Sequence, residues 1–389
     1  MTRPTIYLDS NATTEPLQEV RDGINSCLAD GWANPSSIHR PGFSARSSIE
    51  LARGSVARLV DADPGRIVFT SGGTESANLA INGVLSDPIN ACSIISSPLE
   101  HGAVSVPVHD AGRRGAKVSM VSHDRDGQID LSDLEDRLSK VSSGSRLVSI
   151  MWVNNETGVI QPIGQVARLC RSFGWILHCD ATQAVGKLPL GDEVEQVDLL
   201  TFSAHKFHGP KGIGALRIRD RSVLGPVVTG GPQESGLRGG TENTPGIVGM
   251  GIAAERAAAW LDDDGHVKVE SLRAQFEQRM GDLGGVTIHG EGAPRLWTTS
   301  CIGFDQVESE SLLMMLSEQG VCASGGAACA SGALEPSHVL VGMGVPHDLA
   351  MGSIRFSFSR LTTPEQIDAA CEIIEASVRR LRSMDSSTD

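Results

Sequence analysis

The chain lacks any apolar run near the ~20 residues that a membrane-spanning helix needs, so a transmembrane reading fails. It also lacks a basic excess: 33 Lys and Arg stand against 47 Asp and Glu, a formal charge of −14. A protein that grips nucleic acid through phosphates carries the opposite sign, which argues against direct nucleic-acid binding. Met1-Thr2-Arg3-Pro4 leads straight into a strand-like stretch at 5–8 with no apolar h-region, and the expected location is the cytoplasm. None of the eight cysteines forms a CxxC pair, and the chain is long and carries no secretion signal, so neither a disulfide framework nor a structural zinc site is expected. No fixed short repeat is present, which disfavours solenoids and propellers. What remains is ordinary globular composition, 40% hydrophobic and 21% charged over 389 residues, enough for one large domain or two of ordinary size.

Apolar, β-branched runs alternate with longer helical stretches through the first 245 residues. Strands are expected at 66–70, 93–96, 117–121, 147–153, 175–179, 199–203 and 214–218, with helices between many of them, such as 131–141 and 163–173. Near-continuous apolar strands joined by helices predict a mostly parallel sheet covered on both faces. Beyond 245 the pattern changes. Helices are expected at 247–261, 267–283, 309–319 and 364–384, and strands at 286–289, 299–304 and 353–357, around a glycine-rich segment at 322–332. This reads as a smaller α+β domain, with a boundary near 255–265.

Residues 178–214 carry the most chemistry. Asp180 closes one predicted buried strand and is followed by Gln183; the next strand ends in Ser203-Ala204-His205-Lys206. A buried carboxylate is costly unless it meets a cation or strong donors. Ligands of open α/β sheets sit at the carboxyl ends of the strands. Pyridoxal phosphate needs a lysine amine for covalent attachment, a carboxylate to keep the pyridine nitrogen protonated, and donors for its phosphate. The glycine-rich turn 71–75 (SGGTE), running from strand into helix, fits the phosphate role, because a helix N-terminus favours an anion.

With these residues in place the chain resembles the cysteine desulfurases of the NifS/IscS type, among the class-V aminotransferases of fold-type I. The resemblance spans nearly the whole length, through 8–14 (LDSNATT), 34–39 (NPSSIH), 70–76 (TSGGTES), 100–101 (EH), 153–158 (VNNETG), 180–183 (DATQ) and 203–206 (SAHK). It continues through 238–243 (RGGTEN), 329–332 (CASG), 336–339 (PSHV) and 354–357 (IRFS), with forms closest to the nitrogen-fixation branch. It implies an α/β fold: a large domain at 16–258 around a mostly parallel, seven-stranded-type sheet, a small α+β domain at 259–389, and an N-terminal segment, 1–15, packing on the small domain.

The resemblance also implies roles. Lys206 carries the coenzyme, Asp180 faces its pyridine nitrogen, Gln183 its ring hydroxyl, and His101 stacks on the ring and shuttles a proton. Gly73, Thr74, Ser203 and His205 hold the phosphate, and Thr241 reaches the phosphate of a partner subunit, which makes the protein a homodimer. Asn155 belongs to the cofactor and substrate site, and Arg355 grips the substrate carboxylate, a task suited to a guanidinium fork. Cys329 is the nucleophile: L-cysteine becomes L-alanine, and its sulfur passes to Cys329 as a persulfide and then to an acceptor such as an iron–sulfur scaffold protein. No intrinsic metal is expected; whether Cys329 also ligates a partner-bound iron–sulfur cluster is left open.

Two features depart from the family pattern or stand outside it. Relatives commonly place hydroxyl residues around the nucleophile, where this chain has Gly325, Ala327 and Ala330, which removes local donors for a thiolate. Cys322, seven residues before Cys329, reads as a strand residue, with a resolving-thiol role as the lesser reading. Two alternative functions stand beside this one: another fold-type I enzyme (an aminotransferase, or a cysteine or selenocysteine lyase), which needs Lys206, Asp180 and Arg355 but not Cys329; and a non-catalytic sulfur-relay scaffold, which needs none of Lys206, Asp180, Gln183 and His101.

Overall fold

The computed structural model describes residues 5–85, 88–141, 143–325 and 335–385. Cys329 and Ala327, Ala330 beside it lie outside the described residues. Among the described residues a seven-stranded sheet runs in the order Ile67–Thr70, Gly214–Ile218, Leu199–Ser203, Ile176–Asp180, Arg146–Met151, Ser93–Ser96, Lys117–Met120. Only Gly214–Ile218 is antiparallel to its neighbours; the other pairings are parallel. The expected α/β layering is therefore present. Alternate residues feed opposite faces: Val148, Ile150, Leu200 and Phe202 enter one core, Leu147, Leu199, Leu216 and Val68 the other. Each fully buried Leu or Phe of this kind contributes roughly 1.5–3 kcal/mol of transfer free energy.

Expected element bounds hold to within a few residues, and the differences have local causes. The strand expected over 147–153 stops at Met151 because Asn154 folds the chain back: its Oδ1 accepts from the backbone N–H of Glu156 (2.9 Å) and Thr157 (3.0 Å). The helix expected from 247 starts earlier, as Thr244–Asp262, because Asn243 caps Gly246 N–H and Pro245 sits in the first turn.

A second, four-stranded sheet follows the order Ser324–Gly325, Ser353–Ser357, Thr299–Phe304, Val286–Ile288, all antiparallel. Helices Gly265–Gly281 and Ser309–Glu318 pack on it and Pro364–Asp385 packs against both helices, with Phe276 against Phe356 (5.1 Å between ring centroids) and Phe358 (5.4 Å). The N-terminal strand Ile6–Tyr7 pairs in parallel with Val321–Cys322, and Asp9 bridges to Ser357. The chain then crosses toward the large sheet, so residues 9–13 lie between the two sheets' functional edges.

Candidate active site

The carboxyl ends of six large-sheet strands share one edge, and the functional residues follow from that. Asp180 ends one strand, and the adjacent strand Leu199–Ser203 runs into the single turn Ala204–Lys206. Thr70 and Ser203 flank Gly214 in register. A Cβ on Gly214 would meet Gly72 backbone at 2.7 Å and Phe202 O at 2.8 Å, so only glycine lets the turn into helix Gly73–Val84 lie this close to the Lys206 strand. That brings Gly73 beside Thr182 and Ser203: its own virtual Cβ lies 3.2 Å from Thr182 Oγ1 and 3.7 Å from Ser203 Cβ. Thr74, the next helical residue, is exposed. Ser203 Oγ donates to Ile213 O at 3.4 Å, and His205 Nδ1 sits 3.1 Å from Thr13 Oγ1.

Lys206 Nζ donates to the carbonyls of Asn11 (2.5 Å) and Ala12 (2.9 Å). Burial, then the Arg355 cation, pull its amine down to about 8, against the opposing pull of Asp180 and Asp9. Asp180 is buried and accepts Thr182 N–H at 2.9 Å. Beneath it, His178 is held neutral by burial, at about 4, and bridges Ser149 Oγ (2.8 Å) and Thr201 Oγ1 (2.9 Å). His205 is likewise pushed down to about 4, by burial and then by Lys206. His101 caps helix Gly102–Arg113 by accepting Ala103 N–H on Nδ1 at 3.1 Å. Loss of water lowers its pKa, with Lys206 and Arg355 adding to the fall and Asp180 opposing it.

Arg355, in strand Ser353–Ser357, donates to Asp9 Oδ1 (2.9 Å) and to Asn155 O (3.1 Å). Ser324 is its strand partner. Ser337 donates to Glu156, and His338 Nε2 lies 3.1 Å from Glu100 O. Asn155 is held by the turn that ends in Gly158 (φ 77°), where a Cβ would strike Thr299 at 2.7 Å. Thr241 is exposed, in the loop where Arg238 pairs with Glu75 (2.8 Å) and Asn243 Nδ2 donates to Gly212 O (3.5 Å).

Four residues at the site were not singled out from the sequence. Asn11 is a hub: its carbonyl accepts from Lys206 and from Gln183 Nε2 (3.0 Å), and its Nδ2 donates to Asn155 O (3.1 Å) and Thr299 Oγ1 (2.9 Å). Its place in the motif 8–14 was a usable signal. Asp9, from the same motif, holds Arg355. Glu100 is fully buried and burial raises its carboxyl well above the usual range; Met151 N–H donates to Oε1 at 2.8 Å. Lys187 is buried with Nζ 2.6 Å from Gln183 Oε1.

The donor set fits pyridoxal phosphate. A deprotonatable lysine and a buried carboxylate stand on neighbouring strand ends beside a glycine-rich helix N-terminus. Three buried polar atoms around them, Asn155 Oδ1, Glu100 Oε2 and Arg355 Nε, have no hydrogen-bond partner among the described residues, as in a site built for a further polar group.

Residues 6–370 match the family model described as aminotransferase class-V. The chain belongs to that family. It is 43% identical over 381 residues to cysteine desulfurase 2 of Trichormus variabilis, covering 97% of this chain and 94% of the relative. Among solved structures, a NifS-like protein superposes with a TM-score of 0.87 at 35% identity, covering 96% of this chain and 99% of the other. A structure described as SspA in complex with cysteine gives 0.79 at 31% identity, covering 92% and 99%. The fold is that of the fold-type I enzymes, and the activity is of the cysteine desulfurase type.

Proposed function

We propose that this enzyme binds pyridoxal phosphate at the large-sheet edge, converts L-cysteine to L-alanine, and takes up the sulfur on Cys329. The observation that carries the reading is Lys206 Nζ, with a pKa near 8, beside buried Asp180 at the carboxyl ends of adjacent strands. Lys206 would hold the coenzyme covalently, Asp180 its pyridinium N–H, and Gln183 its ring oxygen. His101 would cover the ring, and Asn155 would border both coenzyme and substrate. Gly73, Thr74, Ser203 and His205 would hold the phosphate at the positive end of helix Gly73–Val84. The bound group supplies an electron sink that acidifies the substrate Cα–H.

The protein's own residues do the rest. Arg355 orients the substrate carboxylate, and Lys206 and His101, both with lowered pKa values, move the α-proton. The Cys329 thiolate attacks the substrate Sγ; an S–S bond forms as the Sγ–Cβ bond breaks, and its electron pair returns to carbon, which is protonated to give alanine. Cys329 is left as a persulfide for transfer to an acceptor in the cytoplasm, such as an iron–sulfur scaffold protein or a protein of another thio-modification route.

The enzyme would act as a homodimer in which Thr241 serves the partner subunit's phosphate site. Exposed Trp32 (77%), Ile38 (102%) and Phe43 (66%) support this. They lie in and around the segment that forms, with the loop carrying Thr241, a cleft of about 450 Å³ lined by Ser36, Arg46, Gln233 and Glu242 among others. The test is incubation of purified, coenzyme-loaded protein with L-cysteine. Alanine released with one sulfur atom added at Cys329 is the expected result; alanine without any sulfur at 329 overturns the nucleophile assignment.

A further inference from the structure

Lys187 is buried four residues beyond Gln183, in the run of turns that follows strand Ile176–Asp180, and the network around the two is directional. A lysine amine carries N–H donors, while a glutamine amide has two N–H donors and one acceptor oxygen with two lone pairs. Lys187 Nζ donates to Gln183 Oε1 at 2.6 Å and approaches Asn11 Oδ1 at 3.4 Å. On the other side, Gln183 Nε2 donates to Asn11 O at 3.0 Å. Oε1 is thus held by a donor and one N–H by an acceptor, so the amide cannot flip without breaking both bonds. With Oε1 turned to Lys187, the second Nε2–H remains on the amino side of the amide as a donor.

We propose that Lys187 is a positioning residue: it locks Gln183 so that the amide presents N–H, never C=O, to the oxygen of the coenzyme ring. This rests on the reading that pyridoxal phosphate occupies the site with Gln183 against that oxygen. A donor there stabilises the ring oxygen as an anion and weakens its hold on the neighbouring proton at the Lys206 linkage. The linkage then loses its proton at a lower pH. With the lock removed the amide can turn its carbonyl to the oxygen, and the midpoint rises. Lys187 itself touches neither substrate nor coenzyme in this scheme.

The test is a pH titration of the visible absorbance of the pyridoxal phosphate-loaded protein. Lys187→Met should raise the midpoint by about one unit, a tenfold change in acidity. In a Gln183→Leu background the same change should move it little, because the lysine acts through the amide. Lys187→Gln, which keeps a donor at the position, should restore much of the wild-type midpoint. Gln183→Glu keeps the size and the Lys187 contact but has no donor, so its midpoint should rise with Lys187 intact; this variant decides the question if Lys187→Met fails to fold. An unmoved midpoint in Lys187→Met or in Gln183→Glu overturns the proposal, as does an equal shift with and without Gln183, which would mean that Lys187 acts by charge alone. A wild-type protein that gains no visible band with pyridoxal phosphate overturns the underlying reading as well.

Discussion

Arg355 spends one arm of its guanidinium on Asp9, at 2.9 Å, in a pocket where both side chains are largely shielded from water. The pair joins strand Ser353–Ser357 to the N-terminal crossing segment, and it occupies the cation assigned to the substrate carboxylate. A substrate must therefore share Arg355 with Asp9. Removing Asp9 leaves a shielded cation uncompensated until an anion arrives. Asp9→Asn should lower the melting temperature of the free enzyme, and L-alanine, the product, should raise it more than in wild type. Thermal scans with and without alanine check this; an alanine shift no larger than wild type's would show that the Asp9 pair does not compete with ligand.

The lowered pKa of Lys206 sets a pH window. Between about 8 and its ordinary value of 10.5, the unfolded chain holds a proton that the folded chain has released. This group's contribution to apo-protein stability therefore rises with pH through that interval. The neutral amine is also the form that condenses with a carbonyl. The rate of pyridoxal phosphate attachment to apo-protein should climb with pH and level off above about 8, followed by visible absorbance. A rate still climbing past pH 10 would place the Lys206 amine at its ordinary value.

Gly214 is the packing contact on which the phosphate turn depends. Gly214→Ala drives a methyl against Gly72 backbone and Phe202 O, neither of which is a flexible side-chain end. Overpacking of this kind costs about 1–3 kcal/mol. The variant should lose stability in denaturant titrations and, because the displaced backbone belongs to the turn before Gly73 and Thr74, bind pyridoxal phosphate about tenfold more weakly. Equal losses in affinity for pyridoxal and its phosphate would move the effect away from the phosphate turn.

If Thr241 serves the opposite subunit, two inactive variants can repair each other. Lys206→Ala lacks the amine in its own site but still offers Thr241, whereas Thr241→Ala keeps the amine and fails its partner. Exchange of subunits creates one site with both residues. Mixed dimers should recover activity above that of either parent, measured as alanine formation. No recovery after verified subunit exchange would place Thr241 in its own chain's site.

The sequence by itself determined the layered α/β architecture and the placement of Asp180 and Lys206. Strand periodicity, terminal polar residues and the glycine-rich turn are local signals, and local signals survive in one dimension. The ordered motifs added the family, and with it the candidate roles. What the tertiary structure alone decided are the long-range partnerships: Asp9 on Arg355, Asn11 joining Lys206, Gln183 and Asn155, and Ser337 on Glu156. These pairs are separated by up to 346 positions, and no periodicity links such distant residues. They meet because the N-terminal strand docks on Val321–Cys322 and because Gly214 and Gly158 permit backbone approaches that a side chain would block. The pKa values follow the same division, since a lysine's charge is written in the sequence, but the water and neighbours it loses belong to the fold.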